Sequence, residues 1–420
     1  MKKYIIVIIS SILLIIGILF SANKYKEIQK ENEIKAHQLE LEKEEKKLAD
    51  IKMHYSNKVI SNKEANLYKL VDDKYVKSGT IGSDIPIELT EISDLTYKTE
   101  YFKLSNIDYY VYYEDVNIDS STTVIDADYK NYIVYNENII TENETSFYTD
   151  EKLVFKINEG VSLPIIIKDN DKYYVEYDNR LLYVKKVEIK ETIENHNTDA
   201  EVAKSIATVA YHFFYDKEAG EVCDQIICLE KKKFEEQVKY LSDNNYYTAT
   251  MKAFELFLDG KAQLPKKTVV LTIDDGYSTK VGTDILEKYN KHATLFLITA
   301  WKKKEEYNTT ALEFHSHGHD LHNAGVCKMG AQGGGIQCLD KETLLNDLKT
   351  SRELLNNTTV FCYPFYEFND YSISVLKEAG FTMAFAGYRR KATVGQDKFR
   401  LPRYTILSSD TLSSFISYIS

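Results

Sequence analysis

Apolar residues run without a charge from Tyr4 to Phe20, directly behind Lys2 and Lys3. That run is long for the apolar part of a cleavable leader and near the short limit for a helix that spans a bilayer. Phe20 stands where a cleavage site wants a small residue, so segment 1–22 predicts an uncleaved transmembrane signal-anchor. The bulk of the chain is then extracellular, held at the cell membrane by a single pass, or secreted if the segment is cut. Segment 23–60 follows with mostly charged positions and no Gly or Pro over 24–53. Ile34, Leu41 and Leu48 recur every seven residues, but Gln38 and Glu45 occupy the companion positions. This pattern predicts a charged helical stalk, solvated or weakly coiled; an unstructured charged linker has the same composition.

From about residue 64 to 190 the period changes to two, with aromatics on the alternating positions. The clearest strand signals are "YYVYYEDV" (109–116) and "YYVEYDNRLLYV" (173–184). "GSDIPIEL" (82–89) and "GVSLPIII" (160–167) form a faint internal repeat, each followed by a Tyr-Tyr-Val strand. Two small all-β modules are expected, 61–120 and 121–192, similar in pattern to bacterial SH3-like domains. They would bind wall or glycan, or serve as a spacer.

After a polar linker, 193–420 alternates short apolar strands with helical stretches. The strands are expected at 208–214, 268–273, 293–299, 312–317, 359–365, 382–387 and 403–407. Such alternation means an α/β domain with a parallel sheet, open or closed into a barrel. Chemistry in these folds gathers at the C-terminal strand ends.

Charge and cysteine content narrow the setting. A net charge of −11 argues against a nucleic-acid partner, which needs a basic face. The 33 tyrosines suit half-buried sheets and sugar contacts. Cys223 lies near Cys228 and Cys327 near Cys338, with Cys362 alone in an apolar strand. Two local disulfides and one buried thiol fit an exported protein.

Two strand ends carry candidate chemistry. "VVLTIDDGYSTK" ends a buried strand with Asp274 and Asp275, and "LEFHSHGHDLHN" holds four of the nine histidines. Asp-Gly alone is a common turn pair. Adjacent carboxylates behind an apolar strand are costly unless paired or metal-bound. One carboxylate and two imidazoles suit a divalent ion with open positions, leaving the second carboxylate free as a base.

These motifs resemble the polysaccharide deacetylase family (carbohydrate esterase family four, the NodB-homology domain). "LTIDDGY" is similar to its first motif, "HSHGHDLH" to its second and "YPFYEFN" to its third, so the resemblance covers 205–407. It implies a distorted (β/α)7 barrel and a metal-dependent hydrolase that removes N-acetyl groups from a glycan such as peptidoglycan or poly-N-acetylglucosamine. The implied roles are Asp274 as general base and Asp275 as metal ligand. The histidine register has two options. "EFHSHGHDLH" aligns best with His317 and His322 as ligands, as in the exported poly-N-acetylglucosamine deacetylases; His315 and His319 are the other pair. Asp320 is a candidate to orient an imidazole. Zinc is the expected ion. The backbone N–H of Phe365 would stabilise the oxyanion.

The chain also departs from the family pattern. Cys362 stands where the third motif has Arg, Trp301 lies outside the fourth motif, and "RLPRYTIL" lacks the histidine of the fifth. His212 in "VAYHFF" resembles a histidine that serves as general acid in the same branch, and Arg403 is the candidate to replace the arginine beside Asp274. These departures keep open a second function, a catalytically inactive barrel that binds surface glycan.

Overall fold

The Lys2–His54 stretch forms one helix of 53 residues, so the apolar segment and the charged stalk are continuous. Within a computed structural model, residues 2–91, 100–119, 127–150, 152–195, 200–277 and 279–420 are described. The expected module boundary at 120 and 121 lies outside the described residues, as do 196–199 of the polar linker and Ser278. The helix has an apolar stretch long enough to cross a membrane, with mean hydropathy 1.8. Ile34, Leu41 and Leu48 are exposed, so the heptad forms no seam here.

The chain divides into two compact units. The first comprises Met1–Val124 and Asn143–Glu159. Its helix ends against a β core: Ile51 is buried, and the Tyr113 hydroxyl donates to Asp50 Oδ2 at 3.3 Å. Strands Ala65–Val71 and Lys74–Ile81 form a hairpin whose turn residues, Asp72 and Asp73, both have positive φ (47° and 59°). That left-handed pair matches the twist of the flanking strands, and Asp tolerates it better than most residues.

The internal repeat is structural. In the first copy Lys58–Ser61 pairs with both Pro86–Glu88 and Val116–Ile118, the latter entered through a 3₁₀ turn at Tyr113–Asp115. In the second copy Glu137–Thr141 pairs with Ser162–Pro164 and Ile189–Glu194, the latter entered through Lys186–Glu188. The hairpin of the second copy, Thr145–Thr149 and Lys152–Ile157, belongs to the first unit, where Phe155 pairs with Ile81. Two strand expectations need correction. "YYVYYEDV" is a strand only over Tyr110–Tyr112, after which the chain turns through Tyr113–Asp115. "YYVEYDNRLLYV" is a hairpin of Lys172–Tyr177 and Arg180–Lys185, because Asp178 and Asn179 take φ of 53° and 57° and reverse the chain.

The second unit comprises Ile125–Glu142 and Gly160–Ser420 and carries a mixed α/β domain. Its parallel strands run in the order Met383–Phe385, Val360–Cys362, Leu312–Ser316, Ala293–Leu297, Thr268–Asp275, Ser205–Tyr211. Tyr404–Thr405 adds a parallel strand beside Ser205–Tyr211, and Phe385 bridges Leu401, so the sheet curls towards a partly closed barrel. Helices Thr279–Lys288, Lys341–Leu354 and Asp370–Ala379 make ordinary crossovers. The link from Ala293–Leu297 to Leu312–Ser316 has only a 3₁₀ turn, Lys304–Glu306. The strand–helix repetition of a (β/α)7 barrel is therefore incomplete. Thr268–Asp275 is buried at every position, as expected of a central strand covered on both faces. The first barrel strand ends at Tyr211, earlier than its apolar pattern suggests, which leaves His212 at the strand's C-terminal end.

Candidate metal centre and active site

The site grows from the end of the Thr268–Asp275 strand. Asp275 itself has φ 72° and the following Gly276 has φ 102°. A Cβ on Gly276 would sit 2.7 Å from Leu297 Cδ1 and 2.8 Å from the Tyr307 hydroxyl, so the turn demands glycine. The turn sends the two carboxylates into different surroundings.

Asp274 is held by Arg403. The guanidinium donates to both oxygens, at 2.7 Å to Oδ1 and 2.9 Å to Oδ2. Both side chains are buried, and such a two-pronged charged pair is strong and directional. Burial alone would raise the Asp274 carboxyl. Arg403, with His317 and His212 nearby, outweighs burial and holds it well below the usual carboxylate range. Arg403 also donates to Thr272 Oγ1 at 3.1 Å and to Cys362 Sγ at 2.8 Å. The cysteine in the third motif is thus a small neighbour of the arginine that arrives from elsewhere in the chain. His212 Nε2 lies 3.7 Å from Asp274 Oδ2, and burial pushes its imidazole below its ordinary pKa.

Asp275 faces two imidazoles. His317 Nε2 and His322 Nε2 each lie 3.4 Å from Asp275 Oδ1. That oxygen is buried and has no hydrogen-bond partner among the described residues. A buried, unpaired carboxylate oxygen is unfavourable by itself and suits a cation. His317 Nδ1 lies 2.8 Å from the Cys362 carbonyl. Only a protonated Nδ1 can donate there, so the neutral ring offers its Nε2 lone pair. Burial alone would lower this imidazole, but Cys362, Asp275 and Asp274 outweigh it and raise it, so a cation would have to displace the Nε2 proton. Burial and the neighbouring His317 push the His322 imidazole down to about 4, so it is neutral, the form that ligates. Asp275, His317 and His322 offer three ligand atoms within 4.8 Å of one another. Asp274, His317 and Cys362 also cluster at this range. That second set is unsuitable, because Arg403 occupies both Asp274 oxygens and burial pushes the Cys362 thiol up, away from the thiolate a metal needs.

The remaining histidines of the cluster are engaged elsewhere. His315 Nδ1 meets Thr358 Oγ1 at 2.5 Å, and His319 Nδ1 meets Thr299 Oγ1 at 3.0 Å. Asp320 does not orient an imidazole as expected. It takes a bond from Asn323 at 3.1 Å, and a backbone carbonyl holds His317 instead. The loop bearing His322 is secured by Asp347, which accepts from the N–H groups of His319 (2.8 Å) and Asp320 (2.7 Å). Asp347 lies mid-helix and carries no local sequence signal for this role.

Phe365 reaches the same centre. It has φ 57°, and its ring lies 4.3 Å from that of His322. Trp301, remote in sequence, stands edge-on to His322 at 5.4 Å. Tyr277 lies 5.5 Å from Trp301, and both rings are partly exposed. The metal-like set is therefore rimmed by aromatic surface of the kind that stacks on sugar rings. Its uniqueness as the chain's one tryptophan was the available sequence signal for Trp301.

The disulfides Cys223–Cys228 and Cys327–Cys338 are formed, and Cys362 is free and buried.

Known proteins resemble the C-terminal half of this chain. The polysaccharide deacetylase family model matches residues 261–384. A poly-beta-1,6-N-acetyl-D-glucosamine N-deacetylase of Staphylococcus aureus is 28% identical over 210 residues, spanning 45% of this chain and 70% of that protein. The Bacillus subtilis protein YxkH is 26% identical over 198 residues, spanning 45% and 69%. Among solved structures, a de-N-acetylase from Aggregatibacter actinomycetemcomitans aligns with 22% identity and TM-score 0.44, over 51% of this chain and 100% of that one. Residues 261–384 thus carry a polysaccharide deacetylase domain, and about half of the chain is similar to poly-N-acetylglucosamine N-deacetylases.

Proposed function

We propose that the C-terminal domain removes N-acetyl groups from an extracellular glycan built on N-acetylglucosamine, poly-N-acetylglucosamine or peptidoglycan, by metal-dependent hydrolysis. The observation that carries this reading is the unpartnered Asp275 Oδ1 facing two imidazole Nε2 atoms, beside an Asp274 clamped by Arg403. Asp275, His317 and His322 would hold the ion. Zinc fits one carboxylate and two imidazoles with a position left open. Once bound, it would polarise the acetyl carbonyl and make a water more acidic.

The chain's own groups supply the rest. Arg403 keeps Asp274 ionised and fixes its plane, and Asp274 accepts the proton of the attacking water. The Phe365 N–H donates to the oxygen that gains charge. His212, 3.7 Å from Asp274 Oδ2, relays the proton to the leaving sugar amine. The aromatic rim of Trp301 and Tyr277 orients the sugar ring. The N-terminal helix anchors the protein in the membrane, and the two β copies act as SH3-like modules that bind or span wall polymer. An acidic chain of net charge −11 has no evident nucleic-acid partner.

The inactive glycan-binding alternative drew on the departures from the family pattern. Two of these have spatial substitutes: Arg403 lies at Asp274, and Trp301 at His322. The test is acetate release by the full chain from β-1,6-linked N-acetylglucosamine oligomers and from peptidoglycan, with and without chelator. Chelator-sensitive release supports the enzyme. Folded, zinc-loaded protein that binds these glycans without releasing acetate supports the alternative.

A further inference from the structure

The Cys327–Cys338 disulfide closes a loop, "CKMGAQGGGIQC", that carries Gly330, Gly333, Gly334 and Gly335. Glycine-rich chain loses much conformational freedom when ordered, so a fixed loop of this kind needs specific ties. The ties converge on Glu367. Its Oε1 accepts from the Gln332 N–H at 2.6 Å, and its Oε2 from the Gly334 N–H at 2.7 Å and from Gln337 Nε2 at 3.1 Å. Asn369 adds a bond to the Gln337 carbonyl at 3.1 Å. Glu367 is a buried acid that the mechanism above does not use, and it lies two residues beyond Phe365 in the same turn.

That turn is strained. Phe365 and Tyr366 both have left-handed φ, 57° and 60°, which non-glycine residues hold only where their surroundings over-determine them. The loop supplies one of those constraints directly. A Cβ on Gly334 would stand 3.0 Å from Phe365 Cδ2, so the loop backbone packs closely against the ring. The ring also lies 4.3 Å from that of His322. A continuous path therefore runs from the disulfide loop through Glu367 and Gly334 to Phe365 and the proposed ligand His322.

We propose that Glu367 is a positioning residue, which locks the disulfide-closed loop against Phe365 and thereby sets both the Phe365 N–H and the His322 ring; this rests on the deacetylase reading. A role in stability alone would leave catalysis and metal affinity intact. The proposal requires both to change.

Trp301 makes the test direct. As the chain's one tryptophan, edge-on to His322, it reports on this centre by fluorescence. Chelator-stripped full chain in detergent is titrated with zinc and followed at Trp301. In parallel, kcat and KM are measured on β-1,6-linked N-acetylglucosamine oligomers. Glu367→Ala should lower kcat about tenfold with KM near wild type, and raise the zinc midpoint by about the same factor. Glu367→Gln keeps one acceptor oxygen but turns an NH2 donor towards the Gln332 or Gly334 N–H, so it should recover only part of both. Gly334→Ala is the second variant should Glu367→Ala fail to fold: φ −64° and ψ 134° accept alanine, while the new Cβ presses on Phe365. It should move both readouts the same way. Variants that melt earlier yet keep the wild-type kcat and zinc midpoint overturn the proposal. Should wild type release no acetate, the deacetylase reading falls, and the zinc midpoints alone decide the positioning: shifted midpoints uphold it and unchanged ones overturn it.

Discussion

The strand Leu312–Ser316 has histidine–carboxylate contacts at both ends. At its start, Glu313 lies between His292, 3.4 Å away, and His315, 3.5 Å away. Just past its far end, His317 faces Asp275 at 3.4 Å, with His322 at the same distance. The residue types and spacings are alike, and the difference is in how the carboxylate is satisfied. Glu313 Oε1 accepts from the Met251 N–H and from Thr294 Oγ1, both at 2.7 Å. Asp275 Oδ1 accepts no hydrogen bond among the described residues. A carboxylate already paired with neutral donors is a structural tie. One left without a hydrogen bond between two imidazoles is a place for a cation. The comparison shows why counting histidines is a poor guide to function, and why the partner of each lone pair is a good one.

The sharpest test of this contrast is catalytic. Asp274→Asn should lower kcat for acetate release by about 10³-fold, the scale of a lost general base. Glu313→Gln should leave kcat within the error of the assay. Equal losses in both would erase the distinction between the two clusters.

Next comes the buried pair. Arg403→Met leaves the Asp274 charge without its partner, so urea unfolding should show a loss of about 3–5 kcal/mol. The double variant Arg403→Met with Asp274→Asn should recover part of it. No recovery would mean that the arginine acts through packing rather than charge.

Zinc sharpens the comparison further. At a hundredfold excess over its Kd, a ligand specific to the folded state stabilises it by about 2.7 kcal/mol. Thermal melts should show that gain for wild type and for His315→Ala, but not for His322→Ala. A gain lost in His315→Ala would move the metal to the other register.

The smallest effect is the acid response of the structural cluster. Burial alone would raise the Glu313 carboxyl, but His292 and His315 outweigh it and hold it below the usual glutamate range. A carboxyl depressed in the folded state contributes stability above its unfolded pKa and loses it as pH falls through the folded value. Wild type should therefore lose this contribution progressively below about pH 5, and Glu313→Gln should show a flatter acid limb with a constant loss of about 1–3 kcal/mol at neutral pH. Urea titrations across this range decide it; parallel acid limbs would refute the assignment.

Much of this protein is legible in local pattern. The charge-free run behind Lys2 and Lys3 predicts the N-terminal helix, and the "VVLTIDDG" stretch predicts a buried strand ending in carboxylates, because both signals repeat within one element. The His317 and His322 pair is legible as a motif for the same reason: its members are five residues apart. Local pattern misreads the "YYVEYDNRLLYV" hairpin, where two left-handed residues interrupt an otherwise continuous strand signal. Other features depend on contacts that no local period encodes. Arg403 is a candidate from the missing third-motif arginine, but its bond to Asp274 crosses 129 residues of chain. The Cys362 carbonyl holds His317 from 45 residues away, and Asp347 secures the His319–Asp320 backbone from the middle of a helix. Sequence period reports which face of an element is apolar. Only the closed tertiary structure determines which polar atoms are left facing one another, because burial removes water and each remaining lone pair must then find its partner within the protein.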